Sequence, residues 1–173
     1  MSILYTERLT LRPFCETDAK AMFENWTYDE RVAKYCRWTA HTSVSMTEQL
    51  LSFYLKEQNE GFTYRWAITL DGKMPIGAID VVDILDNGKT AIIGYVLSYE
   101  YWNKGIATES LKCVIDYLFE NGFTKIVGRF HPDNIASGRV MEKCGMKFCG
   151  YTQEKRKYGS DETCKVKVYS IKQ

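Results

Sequence analysis

Apolar positions change their period along the chain, and each change marks a different kind of element. Between Thr6 and Phe14 apolar and polar residues alternate, with Leu9 and Leu11 on one face, which predicts a strand. Thr17 is then placed to cap a helix whose apolar stripe is Ala19, Met22, Phe23 and Trp26. A second short helix is predicted from Asp29 to Arg37. The capping box Ser45-Met46-Thr47-Glu48 opens a third over Met46–Asn59, with Leu50, Leu51 and Tyr54 inward. From there the pattern turns to strands. Thr63–Leu70, Met74–Ile84 and Lys89–Leu97 are rich in β-branched and aromatic residues, and the turn dipeptides Asp71-Gly72 and Asn87-Gly88 separate them as antiparallel neighbours.

The helical period returns over Gly105–Asn121, with Leu111, Val114, Ile115 and Leu118 inward and Gly122 suited to close the helix. Lys125–Phe130 is a short strand. Asp133 or Asn134 can cap a helix over Ile135–Cys144 that Gly145 ends, and Phe148–Arg156 with Thr163–Ile171 forms a last hairpin around Tyr158–Asp161. The chain thus passes from a meander into a β-α-β crossover at the strand ending near Leu97, and a crossover forces parallel pairing with Lys125–Phe130. Where a ladder changes from antiparallel to parallel its strands can separate, and ligands favour such openings at strand ends. The expected architecture is a single mixed α/β domain over residues 1–173. Its central sheet is mostly antiparallel, splayed at one parallel crossover, with helices on both faces.

Composition narrows what such a fold can serve. The chain is 45% hydrophobic and 26% charged, and a chain of this length buries roughly two-thirds of its surface without needing a disulfide or a metal. Lys+Arg number 23 against 22 Asp+Glu, whereas a nucleic-acid binder shows a clear basic excess, so no nucleic-acid partner is expected. The cysteines at 15, 36, 113, 144, 149 and 164 form no C-x-x-C pair, and His41 and His131 are not spaced as paired ligands, so no metal site is expected. The N-terminal segment carries charge where a signal peptide needs an apolar stretch. The longest charge-free runs, Trp38–Thr47 and Thr90–Tyr99, fall far short of a membrane span. A cytoplasmic protein with reduced thiols and no membrane partner is expected.

The densest candidate chemistry lies in Tyr101-Trp102-Asn103-Lys104-Gly105-Ile106-Ala107-Thr108-Glu109, which joins the strand to the long helix. Gly105 permits close backbone approach or positive φ, Ala107 leaves the first turn uncovered, and free amides with the helix dipole suit a phosphate or pyrophosphate. Taken alone, the fragment is more simply read as a strand-to-helix turn that merely needs a glycine. Three other segments accompany it in order: Thr6-Glu7-Arg8-Leu9-Thr10-Leu11-Arg12, Ile93-Gly94-Tyr95-Val96-Leu97, and Asn134-Ile135-Ala136-Ser137-Gly138-Arg139-Val140-Met141-Glu142-Lys143-Cys144-Gly145. With these four pieces the chain resembles the GNAT acetyltransferases, and within them the subgroup typified by ribosomal-protein N-terminal acetyltransferases.

The resemblance implies a GNAT-type domain that moves an acetyl group from acetyl-CoA to a primary amine by direct attack in a ternary complex. The acceptor would be a protein or peptide N-terminus, or a small amine. It implies that the backbone of Tyr95, Val96 and Leu97 holds the pantetheine arm like an added strand, with the Leu97 amide as oxyanion donor. Backbone around Trp102, Asn103, Lys104, Gly105, Ile106, Ala107 and Thr108 would cradle the pyrophosphate. Asn134 would bond the pantetheine, Ser137 would protonate the leaving thiolate, and Lys143 would approach the nucleotide end. Helix capping by Asn134, a first-turn hydroxyl at Ser137 and a solvated Lys143 are the plainer alternatives. Many relatives dimerise, so a homodimer is compatible with the resemblance.

The chain also departs from the family pattern. Trp102 stands where Gln or Arg is usual, Met141 where many relatives carry a tyrosine acid, and Ile92 and Cys149 where relatives carry glutamates. A protonated amine still needs a base. The candidates are Glu100 after the splayed strand, Asp80, His131 and Glu24. Tyr28, Tyr35, Arg37, Trp38 and Tyr158 are the expected acceptor-side residues, while Cys36 and Cys113 lack a recognisable base and read as buried thiols. The missing acid and glutamates favour, as an alternative, a non-catalytic acyl-CoA-binding sensor or interaction module. A nucleotide site at the same helix terminus is a third reading.

Overall fold

In the computed structural model, which describes residues 2–62 and 64–173, the alternating segments pair into one sheet. Its strands are β1 (Leu4–Tyr5), β2 (Thr10–Arg12), β3 (Arg65–Thr69), β4 (Pro75–Leu85), β5 (Thr90–Leu97), β6 (Lys125–Phe130), β7 (Lys147–Lys155) and β8 (Thr163–Lys172). Their spatial order is β1-β2-β3-β4-β5-β6-β8-β7, and every neighbouring pair is antiparallel except β5 with β6. The helices are α1 (Ala19–Met22), α2 (Glu30–Ala33), α3 (Val44–Asn59), α4 (Ile106–Glu120) and α5 (Ile135–Lys143). Thr63, where the sequence pattern starts a strand, lies outside the described residues.

The two faces of the sheet bury different partners. Leu111, Val114, Leu118 and Met141 of α4 and α5 pack on Ile79, Val81, Ile93 and Ile126. On the opposite face Met22, Trp26 and Leu51 pack on Ala67 and Ala78. Each fully buried aliphatic side chain contributes roughly 1.5–3 kcal/mol, so these two layers hold the sheet from both sides. Among the described residues no helix is long and apolar enough to cross a membrane.

Three local expectations are corrected. The alternation over Thr6–Phe14 predicts one strand, but the chain turns at Thr6–Leu9 (Thr6 N–H to Leu9 carbonyl, 3.0 Å) and splits it into the hairpin β1–β2. The cause is distant, because Glu109 of α4 captures Thr6 and Arg8. The Ser45–Glu48 capping box goes unused, and α3 starts at Val44 with Ser43 in the cap position. Thr47 is drawn inward there, its Oγ1 lying 2.7 Å from both Thr27 Oγ1 and His41 Nδ1. Thr17 does not cap a helix either. A 3-10 turn over Glu16–Asp18 precedes α1, the Asp18 carboxylate accepts the Cys15 amide (2.9 Å), and the apolar stripe continues through a π-helical turn, Phe23–Thr27.

The opening inferred at the crossover has a definite edge. β5 and β6 pair from Thr90 with Lys125 to Ile93 with Gly128 and no further, leaving Gly94 to Leu97 without a strand neighbour on that side. Two glycines seat α5 over the gap. A Cβ on Gly138 would stand 2.8 Å from Phe130 Cζ, and one on Gly128 would stand 2.5 Å from Met141 Cε. On the other side of β5 the register shifts between Val81 and Asp83, a bulge that adds local twist to β4 as the gap opens.

Candidate active site

The cleft, about 730 Å³, runs from the splayed strands to the face under α3 and the tail hairpin. Alternation along each strand decides its floor. Arg65 of β3 lies opposite Asp80 of β4, and Asp80 opposite Gly94 of β5, so these three form one row on the face that carries Ala78. Arg65 donates from Nε to Asp80 (3.0 Å) and from Nη1 to Glu57 of α3 (2.6 Å), with its guanidinium 4.0 Å above the Tyr54 ring. Burial pushes the Asp80 carboxyl up, and Arg65 only partly opposes that. A carboxylate with a raised pKa inside a cleft can accept a proton near neutral pH.

The gap side offers backbone. Ser98 donates to the Ile76 carbonyl of β4 (2.8 Å), and because backbone groups alternate along a strand, the amides of Leu97 and Tyr95 point the other way, into the gap. Trp102 Nε1 donates to the Leu97 carbonyl (2.8 Å), tying the strand end to the following loop. Asn103 (φ 59°) and Gly105 (φ 78°) take left-handed conformations there. The first bond of the helix runs from Glu109 N–H to the Gly105 carbonyl (3.0 Å), so the amides of Ile106, Ala107 and Thr108 emerge unpaired from the N-terminus of α4. The Thr6–Arg8 segment fixes that terminus. Thr6 Oγ1 (2.5 Å) and the Arg8 amide (3.0 Å) donate to Glu109, Arg8 pairs with the same carboxylate (2.6 Å), and Arg8 Nη1 holds the Lys104 carbonyl (3.1 Å). An unpaired strand edge continuing into free helix-terminal amides fits an extended thioester arm ending in a pyrophosphate.

At the third wall, Asn134 caps α5, its Oδ1 accepting the Ser137 amide (3.3 Å) and its Nδ2 donating to Ser137 Oγ (3.3 Å). Both plainer roles are therefore present. With Asn134 as donor, the proton of the Ser137 hydroxyl stays free to be given elsewhere. Tyr95 Oη donates to the Ser137 carbonyl (3.0 Å), and burial raises its pKa. Met141 is 2% exposed and packs on Gly128, so the position of the missing tyrosine is filled by core. His131 lines the cleft and stacks on Tyr35 at 5.5 Å. Its Nδ1 accepts the Asp133 amide (3.3 Å), so the neutral ring carries its proton on Nε2, as assigned from that bond.

Arg37, Trp38 and Tyr158 also line the cleft, with Arg37 4.7 Å over the Tyr158 ring. The structure does not bring Glu100, Tyr28, Lys143 or Glu24 there: all four are exposed and none lines the cleft. Cys36 does line it, but burial pushes its thiol up to about 11, which makes it a poor nucleophile. Several groups escaped the sequence reading: Arg65 with Glu57, Arg129 with Glu154 (2.9 Å), and Lys157, whose Nζ donates to the carbonyls of Ala33, Cys36 and Trp38 at 2.8 Å each. Only the Thr6–Arg12 segment carried a signal, as a motif without an assigned role.

A sheet splayed at its one parallel pair, facing free amides at a helix N-terminus, defines an acyl-CoA-dependent transferase. The acetyltransferase (GNAT) domain matches residues 8–147, and the chain belongs to that family. It is 32% identical to N-acetyltransferase p20 of Bacillus licheniformis over 82% of this chain and 80% of the relative. It is 30% identical to N-acetyltransferase YoaA of Bacillus subtilis over 98% of this chain and 96% of the relative. Its fold is shared by RimL, the ribosomal L7/L12 α-N-protein acetyltransferase solved with coenzyme A, at a TM-score of 0.84 and 20% identity over 99% of this chain and 98% of that one. The protein is thus an N-acyltransferase, and acetyl-CoA is its acyl donor.

Proposed function

We propose that the protein transfers acetyl to a primary amine, on a protein or peptide N-terminus or a small molecule, by direct attack in a ternary complex. The observation that carries this is the meeting of two halves in one cleft: Gly94, Tyr95 and Val96 of the unpaired β5 edge on one side, and Asp80 with its raised pKa on the other. Bound acetyl-CoA supplies an activated acetyl thioester. Asp80 takes a proton from the acceptor ammonium, freeing the lone pair that forms the new C–N bond. The Leu97 amide donates to the carbonyl oxygen as negative charge builds. The C–S bond then breaks and its electron pair leaves on sulfur. The Ser137 hydroxyl gives sulfur its proton while its oxygen receives the extra proton still carried by the attacking nitrogen, so the amide and the free thiol form together. Asp80 replaces Glu100 as the base in this reading, because it alone of the candidate carboxylates lines the cleft. A cytoplasmic setting agrees with cysteines that are all free among the described residues.

Thermal unfolding with acetyl-CoA, and with ATP as control, tests the donor site. Ligand at about a hundred times its dissociation constant stabilises by roughly 2.7 kcal/mol. An upward Tm shift with acetyl-CoA and none with ATP is expected, followed by acceptor-dependent release of CoA thiol. Stabilisation by ATP that CoA does not displace would favour a nucleotide site instead, and donor binding without thiol release would favour a sensor.

A further inference from the structure

Arg129 stands at a special place on the cleft floor. β5–β6 pairing ends at Ile93 with Gly128, so Arg129 is the first β6 residue past the last bridge, level with Gly94. The row across this face therefore reads Arg65, Asp80, Gly94, Arg129, with Val168 of β8 beyond. Gly94 puts no side chain between Asp80 and Arg129, and a Cβ there would crowd Val82 Cγ1 (3.1 Å) and contact Asp80 Oδ1 (3.6 Å). Two strand spacings, about 10 Å before the splay, separate the backbones that carry the two charged groups.

Arg129 is not fully used by the protein. Its Nη1 donates to Glu154, but its Nε is the one buried side-chain nitrogen or oxygen without a hydrogen-bond partner among the described residues. A buried guanidinium N–H left unpaired costs free energy unless something meets it. The surrounding charges point the same way. Of the carboxylates lining the cleft, Glu57 and Asp80 are engaged by Arg65 and Glu154 by Arg129, which leaves Asp83 as the one without a cationic partner among the described residues. Lys34, Arg37 and Arg156 also line the cleft and pair with no carboxylate among the described residues, in a chain whose net charge is only +1.

Resting on the acetyl-transfer reading above, we propose that the acceptor is an amine that also carries a carboxylate, and that Arg129 binds that carboxylate while the amine faces Asp80. Arg129 is then a specificity-determining residue: it orients the acceptor and takes no part in moving protons. A guanidinium presents its N–H groups in a fork that matches a carboxylate, which a point-charge cation does not. The same arrangement disfavours polyamines, whose second ammonium would lie against Arg129 and the unpaired cations at the cleft mouth.

The test uses CoA release from acetyl-CoA with L-aspartate, L-glutamate, glycylglycine and 5-aminopentanoate, each beside its carboxamide, and with spermidine. The acids are expected to exceed their amides by at least about tenfold in kcat/KM, the loss that follows when one charge-assisted contact is removed. Arg129→Gln and Arg129→Met should each raise KM for the acids by at least about tenfold, leave kcat within about threefold, and raise KM for the amides by much less, so that the preference for acids is lost. Glu154→Gln removes the competing negative charge and should keep or increase the preference for acids, whereas a purely structural Arg129–Glu154 pair would make both kinds of variant fail alike. Equal turnover of acids and amides, a preference for spermidine, or parallel losses in the Arg129 and Glu154 variants overturns the proposal and leaves acetyl transfer standing. Absence of release with every acceptor overturns it too, and the acetyl-CoA thermal shift then reports whether the donor site has failed with it.

Discussion

Asp80 shows how a single side chain acquires its chemistry from what surrounds it. In sequence it is one carboxylate among many on a β-rich stretch, no more distinctive than Glu100 or Glu24. In the fold it lies beside Arg65, and burial lifts its pKa while the guanidinium holds it back. The proton-accepting form is lost as pH falls through that raised value, so kcat/KM should decline on the acid side well before an ordinary aspartate would titrate. Asp80→Asn preserves shape and an acceptor for Arg65 but removes the base. It should lower kcat by on the order of a hundredfold and abolish the acidic limb of the pH–rate profile. A profile unchanged in Asp80→Asn would assign the proton to another group. His131 is the less suitable partner, because its Nδ1 lone pair is already taken by the Asp133 amide.

Among the elements, α4 is where local pattern and distant anchoring meet. Its apolar stripe and its closing glycine are legible residue by residue, since both depend on spacings within a few positions. What holds its N-terminus is not legible, because Thr6 and Arg8 reach Glu109 across about a hundred residues. Burial alone would raise the Glu109 carboxyl, but the hydrogen bonds from Thr6 and Arg8 outweigh it and bring the group below its usual value. A lowered folded-state pKa contributes stability above the ordinary carboxylate value of about 4.3, and that stability is lost as pH falls through the folded value. Glu109→Gln should therefore cost about 1 kcal/mol at pH 7, a fall in Tm of about 2–4 °C, with the gap to the native protein closing below about pH 4. Acetyl-CoA affinity should fall alongside, as measured by titration calorimetry, because the free amides of the terminus lose their brace.

Across the whole molecule, segments more than a hundred positions apart meet at the mouth of the cleft. Lys157, at the tip of the β7–β8 hairpin, grips the carbonyls of Ala33, Cys36 and Trp38, the first of them 124 positions away. The Tyr158 amide adds a bond to the Arg37 carbonyl (2.7 Å), and the Arg37 guanidinium lies over the Tyr158 ring. The hairpin so closes one wall of the cleft, away from the β5 edge. Lys157→Met would remove the partner of the Cys36 and Trp38 carbonyls, Ala33 keeping the Cys36 amide (3.0 Å), and should cost on the order of 2 kcal/mol. KM for the acceptor should rise several-fold with acetyl-CoA affinity unchanged. Equal weakening of both substrates would instead mean that the hairpin braces the entire sheet.

Period, turn dipeptides and capping residues sufficed to place β3–β8, α4, α5 and the crossover that splays the sheet, because each depends on interactions within a few positions of the chain. The same local reasoning overextended the first strand and misplaced the start of α3, where Glu109 and Thr27 override it from afar. It left open which carboxylate faces the acceptor, what Lys157 binds and why Arg129 has an unmet N–H. Those are decided by packing, since charge pairing and burial depend on which surfaces the sheet brings together, and a list of residues in order does not contain that distance.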